Sequence, residues 1–530
     1  MSLTEADAAS VAPYFTNTDQ PVFALVNLPE TVKGALFARY SRSAKSLRRL
    51  FLDEFFEGVA IEKAAGASQG VGSDRADRLY QRVFNDYGDD SVAQLGGVHV
   101  AVEDASNILT KVLERGRLMA YLEQSTRYIP YTERRGTSWR YLVPAELDGH
   151  PLRAKYIATL DATFEIYAKW IAPMQAWFEA RYPKAPGDSD GVYRAAIRAK
   201  ALDTLRGMLP AATQSNVGMY GTGQAYEALL LRMRAHPLAE ARAVADSMLA
   251  ELRKVIPAFL TRVDQPDRGG RWSAYLTETR ARTSELAARL TAGASAAAAD
   301  EVTLVDFDPE GEAKVVAAAL YSSSTIPDRE LLEIARSMTA AARTEVLREY
   351  AGERTNRRHR PGRAFERTSY RFDVLTDYGA FRDLQRHRML TIDWQSLSAS
   401  HGYIQPEALV DAGGDAEWRE VMERSGELYE AMRDAGFENA AQYAVSMAYR
   451  VRFVMDMNAR EAMHVIELRT APQGHPAYRR VCQQMHTLID TVAGHHAIAA
   501  SMRFADHSQV ELERLQEERR LEQKRMRLGT

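Results

Sequence analysis

The 530-residue chain has a single cysteine, Cys482. It can form no intramolecular disulfide, and every cysteine-based zinc site is excluded. A reducing compartment is the expected setting. The chain also has little excess charge: 68 Lys and Arg stand against 71 Asp and Glu, a net of −3. Nothing in that balance attracts a nucleic-acid polymer or an anionic membrane surface. No stretch approaches the ~20 uninterrupted apolar residues of a membrane span. The start, MSLTEADAAS, lacks the basic head and apolar core of a signal peptide. The expectation is a soluble, cytoplasmic protein.

Several chemical motifs are missing as well. There is no Gly-Lys-Ser/Thr phosphate loop. Gly221, Thr222 and Gly223 begin a dinucleotide fingerprint, but Tyr226 occupies the place of its third glycine. No His-Glu-x-x-His occurs, and His495 and His496 are wrongly spaced for one helical face, so no metal site is expected. No Gly-x-Ser-x-Gly nucleophile elbow stands out.

What is present is an order of elements that occurs twice, and internal repeats reset a fold assignment. Each half opens with a short apolar strand and an acid–proline turn, from Pro21 and from Val302. A helix follows and ends in a tyrosine–serine cluster, through Ser43 and through Ser324. Next comes an Arg-x-Arg element, at Arg115 and at Arg386. A helix ending in Leu-Arg closes the series, with Arg232 and His236 in one half and Arg469 and His475 in the other. Helical periodicity marks 154–182, 237–259 and 329–350. The run 508–527 is charged on nearly every turn and reads as a solvated helix or an arm packing on a partner chain. The expected organisation is a first half over 1–290, a linker over 291–300, a second half over 301–507 and a charged C-terminal helix over 508–530.

Two segments carry side chains suited to chemistry. If 123–127 is extended, Glu123, Ser125 and Arg127 share one face, because strand side chains alternate. An acid, a hydroxyl and a guanidinium there suit a small anionic ligand, since arginine's planar fork grips phosphate in two bonds. Further on, 458–469 reads as a helix that stacks Arg460, His464 and Glu467 on one face. Taken alone, each segment reads most simply as a salt-bridged or solvated surface.

Together they resemble the flavin-dependent (ThyX-type) thymidylate synthases, whose motif reads RHRxxSxNExSxR and is followed by an Asn-x-Arg helix ending in Leu-Arg. The resemblance spans Val22 to Glu240 and Val302 to Met485, and is strongest over Met457 to Thr470. The first half keeps Glu123, Ser125 and Arg127 but has Gly116, Ala120 and Leu122 for His, Ser and Asn. The second keeps Arg386, His387 and Arg388 but has Thr391, Asp393, Trp394 and Ser398 for Ser, Asn, Glu and the final Arg. The Arg-x-x-x-Pro turn survives as Arg206 to Pro210 only in the first half. Asn-x-Arg survives only in the second, as Asn458 and Arg460, because Gly221 and Gly223 stand there in the first. The losses are complementary.

The resemblance implies an α+β fold of two tandem domains, each a sheet wrapped by helices, with one full site per fused pair. It also implies a homodimer forming a pseudo-tetramer of domains. The implied reaction is methylation of dUMP to dTMP with FAD as cofactor and NADPH and methylenetetrahydrofolate as co-substrates. Glu123, Ser125, Arg127, Arg206, Arg386 and Arg469 would bind the nucleotide, with Arg386 and Arg469 also catalytic. Ser91, Arg386, His387, Arg388, Asn458, Arg460 and His464 would hold the flavin. The alternatives are a flavoprotein of this fold acting on another pyrimidine nucleotide and an inactive nucleotide-binding homologue.

Overall fold

The computed structural model describes residues 3–28, 32–33, 36–37, 40, 43–56, 97–125, 127, 129–134, 136, 138–294, 300–510, 512 and 514–528. Ser91 and residues 295–299 of the expected linker lie outside them. The fold is α+β and rich in helix, with two four-stranded antiparallel sheets of the same topology. In the first, β1 (Val22–Leu25), β2 (Gly97–Ser106), β3 (Met119–Glu123) and β4 (Gln214–Thr222) lie in the order β1-β2-β4-β3. In the second, β5 (Val302–Phe307), β6 (Ser369–Asp377), β7 (Thr391–Trp394) and β8 (Arg450–Asn458) lie in the order β5-β6-β8-β7. The duplication read from the sequence is thus a duplication of structure.

The four central strands end alike. Each runs into a side chain that caps the following helix by accepting a hydrogen bond from the backbone N–H three residues on. Ser106 takes that of Leu109 at 2.9 Å and Thr222 that of Ala225 at 3.3 Å. Asp377 takes that of Ala380 and Asn458 that of Glu461, both at 2.9 Å. Short polar residues satisfy otherwise orphaned amides in this way, so they turn strand into helix at a defined residue. The helices they start are Asn107–Leu113, Gly223–Arg234, Tyr378–Leu384 and Ala459–Arg469.

The chain divides into two compact units, each holding one segment from the other half of the sequence. One comprises Met1–Ala168, Leu209–Ser295 and Arg424–Val445; the other comprises Lys169–Met208, Ala296–Glu423 and Ser446–Thr530. In the first unit, Ala211 and Ala212 donate backbone bonds to Val445 and Tyr443, at 2.8 and 3.1 Å. Tyr443 also donates its hydroxyl to Glu240 at 2.7 Å, and Glu240 accepts from the Ser106 amide as well. In the second unit, Ala448 donates to the Gly207 carbonyl at 2.9 Å. A Cβ on Gly207 would lie 2.8 Å from the Trp418 ring, so this approach requires glycine.

Two expected helical segments gain detail. The periodic stretch 329–350 is two helices, Asp328–Ser337 and Ala340–Ala351, because Thr339 caps the second by accepting from Ala342 at 3.2 Å. The charged C-terminal segment forms the helix Leu515–Leu528. It is the expected helix, and it packs against the helix Asp190–Leu205. Arg519 grips Asp188 through two nitrogens at 2.6 and 2.8 Å. Among the described residues no helix is long and apolar enough to cross a membrane.

Candidate functional site

In the second unit, three arginines from distant parts of the sequence converge on one carboxylate. Arg206 follows the helix Asp190–Leu205, Arg386 follows Tyr378–Leu384, and Arg469 ends Ala459–Arg469. Their common partner is Asp383, which the sequence reading passed over. Arg386 Nη2 bonds Asp383 Oδ1, Arg469 Nη1 lies 3.7 Å from the same oxygen, and Arg206 Nη1 lies 3.6 Å from Oδ2. The only signal for Asp383 was its place one turn before Arg386, and that spacing marks an ordinary helical ion pair equally well.

These guanidiniums are not equally free. Arg206 is buried, and its Nη2 has no hydrogen-bond partner among the described residues. Arg469 is pinned: its Nε donates to His387 Nε2 at 2.9 Å, and its guanidinium carbon lies 5.5 Å from the Tyr478 ring centre. Arg386 is about one-third exposed. Arg388 is exposed beyond it.

Behind Arg469 lies a cluster of His387, Glu461 and His464, whose ligand-type atoms fall within 4.8 Å of one another. That set could hold a metal in other surroundings. Here guanidiniums donate into both rings. Arg469 occupies His387 Nε2, and Arg360 Nη2 lies 3.3 Å from His464 Nδ1, where only the arginine can donate. The remaining protons then sit on His387 Nδ1, which faces Glu461 Oε1 at 3.7 Å, and on His464 Nε2. Such a site suits anions rather than cations.

The electrostatics agree. Burial, then Arg469, His464 and Arg386, hold His387 well below its ordinary range, so it is neutral. Burial, then Arg360, Arg357 and Arg469, bring His464 down to about 4. Burial raises Glu461 to about 7 against the pull of Arg360 and Arg460. Arg460 itself is held by the Pro361 carbonyl at 2.9 Å and by Glu366 at 3.2 Å. Glu467, the third member of the expected polar stripe, lines nothing. It is buried in a two-pronged pair with Arg354, with Nη1 to Oε1 at 2.6 Å.

The first-unit residues lie differently from expectation. β3 stops at Glu123, so Glu123, Ser125 and Arg127 do not share one strand face. The backbone leaves the ladder after Gln124, whose amide still donates to the Asn216 carbonyl at 2.8 Å. The Gln124 side chain is drawn inward, accepting from Arg140 at 2.8 Å. Glu123 is buried, and Lys111 Nζ lies 3.2 Å from it and 2.5 Å from Glu114. Ser125 Oγ accepts from the Arg127 amide at 3.2 Å, and Arg127 is buried.

Comparison with known proteins decides the family. The model for the thymidylate synthase complementing protein, Thy1, matches residues 37–258 and 303–494. The chain belongs to the Thy1 family. A Chlamydia muridarum relative described as a UPF0159 protein is 37% identical over 511 residues, 96% of each chain. A Thermoplasma acidophilum protein of the same description is 29% identical over 92% of this chain and 97% of its own length. A flavin-dependent thymidylate synthase of Mycobacterium sp. (strain KMS) is 30% identical over 34% of this chain and 67% of its own. Among solved structures, the UMP/dUMP methylase PolB of Streptomyces cacaoi aligns at a TM-score of 0.30 and 22% identity, over 39% of this chain and 96% of its own.

Within this Thy1 chain the first-half losses are structural. At Gly116, in place of the motif histidine, a Cβ would lie 2.6 Å from the Tyr121 hydroxyl. At Gly221 it would meet Met119 at 2.7 Å, and at Gly223 it would meet Phe259 at 2.8 Å. Core side chains thus crowd both glycines, and the residue that caps the helix here, as Asn458 does in the second half, is Thr222 between them. Arg232, the counterpart of Arg469, sits beside this filled site, its charge disfavoured by burial and by Arg115.

Proposed function

We propose that the chain is a flavin-dependent thymidylate synthase that methylates dUMP to dTMP, with carbon from methylenetetrahydrofolate and reducing equivalents from NADPH. The observation that carries this reading is the convergence of Arg206, Arg386 and Arg469 in one compact unit, with Arg206 Nη2 buried and without a hydrogen-bond partner among the described residues. A buried donor without an acceptor costs about 1–3 kcal/mol, which an arriving anion relieves. Arg206 comes from the half of the sequence that lost the flavin elements, and the other two from the half that kept them. That pairing is what complementary decay of a fused duplication requires.

In this assignment Arg206 and Arg386 grip the nucleotide phosphate. Glu123 orders its strand through Lys111. Arg469 is held immobile by His387 and polarises the pyrimidine, a preorganised charge that needs no rearrangement during reaction. His387, His464, Arg388, Asn458 and Arg460 join Arg386 in holding FAD, and the arginine-rich wall fits an anionic dinucleotide. Asn458 spends its side-chain oxygen on the helix cap, so only its amide nitrogen is left for a ligand. Bound and reduced, FAD supplies the hydride.

The test is calorimetric titration of dUMP into the full chain and into Arg206→Ala, with the absorbance spectrum and dTMP formation recorded on the same samples. Arg206→Ala is expected to lose about 2–5 kcal/mol of dUMP binding. Unchanged affinity rejects the phosphate assignment. A colourless protein that takes up no added FAD rejects the flavin assignment.

A further inference from the structure

Asp383 occupies the middle of the proposed anion site. Its carboxylate reaches Arg206, Arg386 and Arg469 together, and its side chain is only 11% exposed. It serves those arginines incompletely. Two of the three contacts, at 3.6 and 3.7 Å, are longer than the ~2.7–2.9 Å of a formed charge-assisted hydrogen bond. Arg206 Nη2 remains without a hydrogen-bond partner among the described residues. A second carboxyl, that of Asp377, acts on Arg206 as well. Its Oδ1 is committed to the Ala380 amide, and burial pushes it toward the neutral form. A carboxylate offers two oxygens to three guanidiniums, whereas a phosphate monoester offers three oxygens and nearly two charges.

We propose that Asp383 is a tethered counter-anion, holding the three guanidiniums poised in the free protein and yielding them to a phosphate monoester. This rests on the reading that these arginines take the nucleotide's phosphate, and it adds a selection rule to that reading. A ligand carrying the dianionic group displaces the carboxylate, and the same nucleoside without its phosphate does not. The alternative role, a fixed clamp that shapes the arginines for the ligand and stays bonded to them, predicts the opposite response to losing the charge.

The experiment compares dUMP and deoxyuridine by calorimetric titration into the full-length wild type, Asp383→Asn, Asp383→Glu and Arg206→Ala. Removing the competing charge in Asp383→Asn is expected to tighten dUMP at least about fivefold, with deoxyuridine unchanged. The longer side chain of Asp383→Glu competes better and is expected to weaken dUMP. It also keeps the proposal testable should Asp383→Asn not fold. Unchanged or weaker dUMP binding by Asp383→Asn overturns the proposal, as does unchanged or tighter binding by Asp383→Glu. If Arg206→Ala still weakens dUMP in that case, the phosphate reading stands and only the counter-anion falls. If Arg206→Ala binds dUMP like wild type, both fall.

Discussion

Charge at the site is governed by burial more than by which residues are present. His387, Glu461 and His464 look like a titrating triad, yet desolvation is the largest influence on each. The signs are opposite, and so are the consequences. Between its ordinary 4.5 and about 7, Glu461 binds its proton more firmly in the folded chain, so stability falls as pH rises through that window. His464 binds its proton less firmly when folded, so stability falls as pH drops from its ordinary 6.5 toward about 4. We expect Glu461→Gln to gain roughly a few degrees of Tm over wild type at pH 8 but not at pH 5. His464→Asn should show its gain at pH 5. Thermal melts across pH 5 to 8 check both, and a difference from wild type that does not vary with pH would refute the assignment. The sequence named two members of this cluster by resemblance. It did not show Asp383, because what distinguishes that aspartate is the approach of Arg206 and Arg469, 177 and 86 positions away in sequence by subtraction of their numbers.

Among the elements, the strand–cap–helix junction organises both sheets, and Asn458 serves it while belonging to the family's flavin motif. The two roles separate by substitution. Asn458→Ala removes the cap and is expected to cost about 1 kcal/mol of stability. Asn458→Asp keeps a capping oxygen, so stability should hold, while FAD affinity falls because the amide donor is gone and a negative charge has arrived. Urea unfolding alongside FAD titration separates the two; equal loss of FAD affinity and stability in Asn458→Asp would mean the residue acts only as a cap. This junction was legible in part, since a helix over 458–469 follows from periodicity. The end of β3 at Glu123 was not. Alternation predicts which side chains share a face only while the strand lasts, and here Gln124 is drawn inward by Arg140.

For the whole molecule, the informative feature is that neither compact unit is one half of the sequence. Residues 169–208 belong with the second half and 424–445 with the first. Each half expressed alone would therefore lack a segment of its own unit and carry an unpartnered helical stretch. Residues 1–300 and 301–530 are expected to be poorly soluble or to melt at least about 10 °C below the intact chain when produced separately, and to recover on co-expression. Circular dichroism melts and co-purification check this. Two halves that fold independently with the stability of the intact chain would show that the exchanged segments contribute little.

The sequence by itself determined the duplication, the family and the α+β class. Those rest on local signals: periodicity, short polar caps and motif residues close enough in the chain to be read as a string. Only the tertiary structure decided which residues meet. It put Arg206 with Arg386 and Arg469 around Asp383, closed the first-half site with Tyr121, Met119 and Phe259, and spent Glu123, Glu467 and Asn458's oxygen on structural bonds. The physical reason is that burial and long-range packing set the cost of each charge and the room beside each glycine, and neither quantity is a property of the residues adjacent in sequence.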